Sequence, residues 1–279
     1  MKRNPTYLIA ICLMLLSACS TPKSEEQQST AEATTPAVEV PKGEITYSAD
    51  TIDMKGYFAT NAAAGAKVPG ILVIHEWWGH NDYARKRADM LADLGYVALA
   101  IDMYGDGKVA EHPQDAGKFS GMVFQNLDQS RAKFEAALKT LQDHPNVDPD
   151  KIAAIGYCFG GAVAINMANA GYDLDAVAAF HSSLGMAFQP NAETLKAKIL
   201  VCNGADDPFI SEESIVAFKQ AYESFGTDMK YVSYPGAVHS FTSKEADANG
   251  EKFNLPLAYN EEADAASWKE MQELFASVF

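Results

Sequence analysis

The sequence predicts an α/β protein: a mostly parallel sheet of eight strands with helices on both faces. Three observations predict it. Short apolar, strand-like runs alternate with stretches of helical spacing from residue 44 to the end. The inner runs are continuously apolar, as strands covered on both faces must be. Only the first two runs show clean alternation, which marks an exposed antiparallel start.

Taken in order, "ITYSA" and "MKGYFAT" form that opening pair. "GILVIHE" (70–76) and "GYVALAIDMY" (95–104) are buried strands, and residues 82–94 between them have helical spacing. Residues 114–142 read as helix, in one or two pieces. "KIAAIGY" (151–157), "LDAVAAFHS" (174–182), "AKILVCNG" (197–204) and "MKYVSYPG" (229–236) complete the strands. Helical patterns fall at 160–170, 211–226 and 259–278. Ser211 can cap the second of these, with Glu212 and Glu213 in its first turn. No internal repeat is visible. In such a sheet the site belongs in the loops beyond the carboxyl ends of the strands.

The amino-terminal residues are set apart from this body. Lys2 and Arg3 precede an apolar run, 7–16, too short to span a bilayer as a mature helix. Residues 1–18 therefore read as a signal peptide. Leu16-Ser17-Ala18-Cys19 resembles the lipobox of bacterial lipoproteins, which would make Cys19 the lipidated first residue of the mature chain. Residues 19–43, rich in Ser, Thr, Glu, Gln and Pro, hold too few large apolar groups to offset their ordering entropy and read as a disordered tether. The domain proper is 44–279. The expected location is the bacterial cell envelope, with membrane contact only through the lipid.

A formal net charge of −15 argues against nucleic acid and against electrostatic adhesion to anionic lipid. Of the four cysteines, only Cys158 and Cys202 lie in the body, and each has a local explanation that does not require their pairing.

Three stretches carry chemistry. Gly156-Tyr157-Cys158-Phe159-Gly160 has the G-x-S-x-G form with cysteine for serine, at a strand-to-helix turn. Glycines there remove Cβ atoms that would clash, the cysteine projects above the sheet, and the following helix brings free N–H groups to the sulfur. That environment favours a thiolate nucleophile. The alternative reading is a small buried thiol in a packed turn. Downstream, "VCNGADDPFI" offers an acid and "YPGAVHSF" a histidine. Nucleophile, acid, histidine is the chain order of α/β-hydrolases. His239 follows the last strand and is the candidate base. His181, which precedes the acid, breaks the order and goes to the pocket wall or to structure. Asp207 is favoured over Asp206 as the carboxylate that orients the imidazole.

In "VIHEWWGHND", His75 and His80 are five apart at a strand end, so they do not share a helical face as a zinc motif requires. No metal is expected. The loop after this strand supplies one oxyanion N–H in such enzymes; Trp77 N–H fits, with Phe159 N–H as the second donor. Of the aromatics near the presumed mouth, Trp78, Tyr104 and Phe209, with His181, are candidates to line a substrate pocket.

"HEWWGHNDYARKRADMLADLGYVALAIDMYG", "GYCFGG", the G-x-x-D of "GADDPFI" and "GAVHSF" together resemble the dienelactone hydrolase family, over residues 44–279. The resemblance implies an α/β-hydrolase fold, no cofactor, a small-molecule ester or lactone substrate, and a Cys158–His239–Asp207 triad. It also implies that Glu76 matches a family glutamate in contact with the nucleophile, which influences when the thiol ionises. One departure stands out. The family arginine that binds a substrate carboxylate, shortly after the strand 95–104, is replaced by Gly105 and Asp106, and Lys108 is at most a loose substitute. The expected activity is therefore hydrolysis of an ester or lactone through a cysteine acyl-enzyme. The alternative is a non-catalytic envelope binding protein on the same fold.

Overall fold

The structure, a computed structural model, describes residues 42–279. The signal peptide, Cys19 and nearly all of the tether lie outside the described residues.

The eight strands form one sheet, in the order β1 (Gly43–Ala49), β2 (Ile52–Thr60), β4 (Val97–Ile101), β3 (Val68–Ile74), β5 (Val147–Tyr157), β6 (Ala176–Phe180), β7 (Lys198–Gly204), β8 (Met229–Tyr234). The β1–β2 and β2–β4 pairs are antiparallel and every other pair is parallel. From β3 the chain steps to β4 on one side and later to β5 on the other. Their carboxyl ends therefore flank the point where the winding reverses, which opens a crevice.

Alternate residues of a strand face opposite sides, and here both sides are covered. Ile71 and Val73 of β3 pack with Leu91 of α1 (Asp82–Asp93) and with Met271 and Phe275 of α7 (Glu261–Ala276). Leu72 and Ile74 pack in the opposite layer with Phe134 and Leu141 of α3 (Leu127–Gln142), Val163 of α4 (Phe159–Asn169) and Phe218 of α5 (Glu212–Phe225). Continuous apolar runs in the inner strands are the direct result.

The helical stretch 114–142 is two helices. α2 (Pro113–Gln125) starts with Pro113 behind the His112 cap, and Asn126 ends it while capping α3 through Gln129 N. Ser211 caps α5 as expected, accepting from Ser214 N at 3.1 Å. Two elements depart from expectation. β5 begins at Val147, not 151; a register shift beside Pro69 lets its Pro149-containing start pair with β3. A short helix, α6 (Ala246–Phe253), was not anticipated. It is polar, its Glu245 side chain does not cap it, and Gly250 lies inside it. A Cβ at Gly250 would sit 2.5 Å from Leu257 O, so tertiary packing, not helix propensity, places this glycine there.

Candidate active site

Cys158 occupies the single residue between β5 and α4, at φ +51° and ψ −114°. That left-handed backbone is strained for any residue with a Cβ. It survives because its surroundings over-determine it. Cys158 N donates to Phe180 O at the end of β6 (2.9 Å). A Cβ on Gly156 would lie 2.1 Å from Gly160 O, and one on Gly160 would lie 2.3 Å from Ile74 O. The bend is thus pressed against the end of β3, closer than any side chain permits. Both thiols of the described residues are free; Cys202 is buried and Cys158 half-buried. Phe159 N–H, at the first position of α4, has no acceptor within the helix and is available to an anion.

Loops after β7 and β8 bring the partners. His239 Nδ1–H donates to Asp207 Oδ2 at 2.7 Å, and Asp207 Oδ1 accepts from Phe209 N at 2.9 Å. Asp206 turns away and accepts from Gly236 N at the surface. The two loops are stitched by Ala205 N to Tyr234 O and Asp206 N to Ala237 O. On its other side His239 faces the Cys158 sulfur. Burial pushes the His239 imidazole down. The Cys158 sulfur and the Asp207 carboxylate outweigh that and raise it to about 10, so the imidazolium is favoured. Sulfur, imidazole and carboxylate are therefore neighbours in that order, the arrangement that lets a thiol lose its proton to a base whose tautomer is held.

The loop after β3 supplies the facing wall. Glu76 O accepts from Gly79 N (3.1 Å) and lies 2.5 Å from His75 Nδ1, while Trp77 O accepts from the Tyr104 hydroxyl (2.8 Å). With the Glu76 carbonyl so held, the planar trans peptide points Trp77 N–H the opposite way. His75 Nε2 accepts from Met103 N, and the buried His80 has Nε2 4.0 Å from the Glu44 carboxylate.

Glu76 is buried, and its Oε1 accepts from Ser240 Oγ at 2.9 Å. The hydrogen bond of the carboxylate thus goes to the neighbour of His239. Burial lifts the Glu76 carboxyl to about 6, against the opposing pull of Ser240 and His239. The folded chain therefore holds this proton more tightly than the unfolded chain does. That stabilisation is full below pH 4.5 and is lost as pH rises through about 6. Glu76→Gln keeps an oxygen for Ser240 without the charge. It is expected to raise stability at neutral pH by about 2 kcal/mol and to change it little near pH 4. Urea unfolding at the two pH values checks this; an equal effect at both would contradict it.

The pocket candidates separate. Tyr104 is buried with its ring 5.4 Å from that of Phe159, and it lines a cavity of about 370 Å³ with Phe119, Lys108, Lys118 and Lys133. Trp78 stacks on Phe253 at 5.7 Å and lines a cavity of about 550 Å³ with Glu76 and Tyr83. Phe209 is exposed and edge-on to His239 at 5.1 Å. His181 does not line an open pocket. It is fully buried, because the end of β6 directs it beneath His239, where Nε2 meets Thr242 Oγ1 at 2.7 Å.

At the position of the missing arginine, Asp102 is consumed by the turn, accepting from the N–H groups of Tyr104, Gly105 and Gly107. Lys108 pairs with Asp106. Sequence reading missed Lys133, whose buried ammonium donates to Met103 O and Tyr104 O. Its signal was available: Lys133 falls on the buried stripe of α3 with Ser130, Phe134 and Ala137.

A model of the dienelactone hydrolase family matches residues 54–279. A solved structure named m3DLH is 38% identical and superposes with a TM-score of 0.81, covering 86% of this chain and 98% of that one. The structure of a dienelactone hydrolase-like promiscuous phosphotriesterase, P91, from metagenomic libraries is 34% identical with a TM-score of 0.78, at the same coverage of both chains. Protein usf of Aquifex pyrophilus is 30% identical over 208 residues, 73% of this chain and 88% of that protein.

Proposed function

The chain belongs to the dienelactone hydrolase family, and on that premise we propose that it hydrolyses an ester or lactone through an acyl-enzyme on Cys158. One observation carries the reading: His239 is hydrogen-bonded to Asp207 and faces the Cys158 sulfur.

The thiol proton passes to His239, whose Nδ1–H stays on Asp207. The sulfur forms a bond to the carbonyl carbon, and the carbonyl oxygen takes the negative charge, facing the N–H groups of Phe159 and Trp77. Two such donors contribute on the order of 3 kcal/mol each to transition-state stabilisation. Collapse breaks the carbon–oxygen bond of the ester, and His239 returns its proton to the leaving alkoxide. A water, deprotonated by His239, then attacks the thioester; the acid departs and the thiol is restored. Glu76, held by Ser240 beside His239, modulates when that base carries its proton.

For the substrate, the rings of Tyr104 beside Phe159 and of Phe209 edge-on to His239 support a small acyl or aryl group. The loss of the family arginine supports esters that lack a carboxylate. The sequence of residues 1–19 supports an exported enzyme, tethered in the cell envelope by lipid on Cys19.

A panel of small lactones and aryl esters, with and without a carboxylate, tests the reading against two variants. Asp207→Asn is expected to lower kcat about 100-fold or more, because the amide no longer fixes the tautomer or balances the imidazolium. Asp206→Asn is expected to stay within about threefold of the parent, since its carboxylate serves only the Gly236 turn. Equal losses in the two variants would remove Asp207 from the role.

A further inference from the structure

His181 has no part in the mechanism above, yet it is held more elaborately than a packing residue requires. Its backbone lies at φ +38°, a left-handed value that costs energy in a residue with a Cβ. It is kept there by its own N–H to Cys202 O (2.8 Å) and, one residue on, by Asn203, whose amide bonds both Ser182 N and Ser182 O. The imidazole is fully buried, 5.4 Å from the His239 ring in an edge-to-face arrangement.

A hydrogen-bond chain ends on this ring, and one direction along it gives each hydroxyl hydrogen a partner. Arg87, buried in α1, can only donate. It gives Nε–H to the Tyr83 hydroxyl at 3.3 Å and Nη2–H to Thr242 O at 2.6 Å, and it is anchored by Asp264 at 2.7 Å. With its oxygen accepting from Arg87, Tyr83 sends its own hydrogen to its remaining partner, Thr242 Oγ1. Thr242 then directs its hydrogen to His181 Nε2, at 2.7 Å. An Nε2 that accepts leaves the ring proton on Nδ1, which is buried without a hydrogen-bond partner among the described residues.

We propose that His181 is a positioning residue for the base: a neutral imidazole, locked as the Nδ1–H tautomer by the Arg87–Tyr83–Thr242 chain, that walls one side of His239 and leaves the proton to it. The proposal rests on the reading of His239 as the base. The groups facing His181 are Arg87 and Tyr83 of α1, Tyr157 of β5 and His239 itself. Those facing His239 are Cys158, Asp207 and Glu76. Burial, then the charges of His239 and Arg87, oppose a proton on His181. The device matters because two adjacent imidazoliums would repel: the more readily His181 takes a proton, the less readily His239 keeps one.

Thr242→Val removes the donor and keeps the shape. The pH profile of iodoacetamide labelling, read on the peptide that contains Cys158, is expected to move its acid limb up by about half a pH unit or more, a threefold or greater loss of rate on that limb. Thr242→Ser is expected to restore the parent profile. Hydrolysis of a small aryl ester should show kcat lowered about tenfold in Thr242→Val with KM within twofold. A purely structural Thr242 would lower the Tm of the valine variant without moving the limb, and that result overturns the proposal. Histidine ¹⁵N NMR of the unsubstituted protein reads the tautomer directly, whether or not the variant folds: Nδ1–H at His181 through the neutral range supports the proposal, and Nε2–H or a titrating His181 overturns it. Labelling and NMR need no turnover. A protein with no esterase activity but the expected tautomer and limb shift would sink the hydrolase reading and leave this one standing.

Discussion

Cys158→Ala is expected to abolish hydrolysis of small aryl esters, with kcat/KM lowered at least about 10³-fold, while thermal unfolding barely moves. Alanine keeps the Cβ, and with it the backbone strain at φ +51°, so the folded state gains and loses little. Cys158→Gly separates activity from stability further. Glycine adopts that backbone freely. The relief of strain, on the order of 1–3 kcal/mol, exceeds the roughly 0.5–1 kcal/mol of extra chain entropy that glycine loses on folding. The glycine variant should therefore be inactive and about 1 kcal/mol more stable than the parent. Chemical denaturation beside an ester assay checks both. Retained turnover in either variant would remove Cys158 as the nucleophile; a destabilised glycine variant would show that the bend is unstrained.

The second large effect falls on folding. Gly160→Ala places a Cβ 2.3 Å from Ile74 O and 2.5 Å from His75 O, both backbone atoms that cannot swing aside. Relief requires parting α4 from the end of β3, at the centre of the sheet. The expected cost is above about 4 kcal/mol, at the far end of what single substitutions do. That is a large share of the 5–15 kcal/mol by which domains are stable. Little soluble protein should be recovered at 37 °C, and what is recovered should unfold well below the parent. Gly121→Ala, on the open surface of α2 with only the Gln125 amide within 4 Å, is the control and should stabilise slightly. An unperturbed Gly160→Ala would mean that the bend sits farther from β3 than described.

Much of the fold was legible because its signals are local. Each inner strand is buried on both faces, so the runs at 70–76 and 197–204 had to be apolar throughout. The helix after 211 announced itself by its cap. α6 stayed hidden because its stability comes from Leu257 and the loop beyond, not from its own residues. The glycine spacing around Cys158 was legible for a related reason: only an unusually close backbone approach requires glycine on both sides of a bend.

The site was legible in part. Chain order singled out His239 and the G-x-x-D spacing favoured Asp207, and the loops after β7 and β8 do bring them to 2.7 Å. Chain order could not place His181, since a histidine at the end of a strand can face a pocket or the interior with the same sequence. Lys133 and Thr242 escaped for the opposite reason: each sits on an ordinary helix stripe or loop, and its partners come from distant segments.

By itself the sequence determined which residues could do chemistry, and in what order the sheet would present them, because periodicity, capping and turn chemistry act over a few residues. Only the tertiary structure decided that Glu76 answers to Ser240, and that His181 lies against the base, bonded to Thr242. Those outcomes depend on desolvation and on hydrogen bonds between segments as far apart as Glu76 and Ser240, and both come into being only when the sheet closes around them.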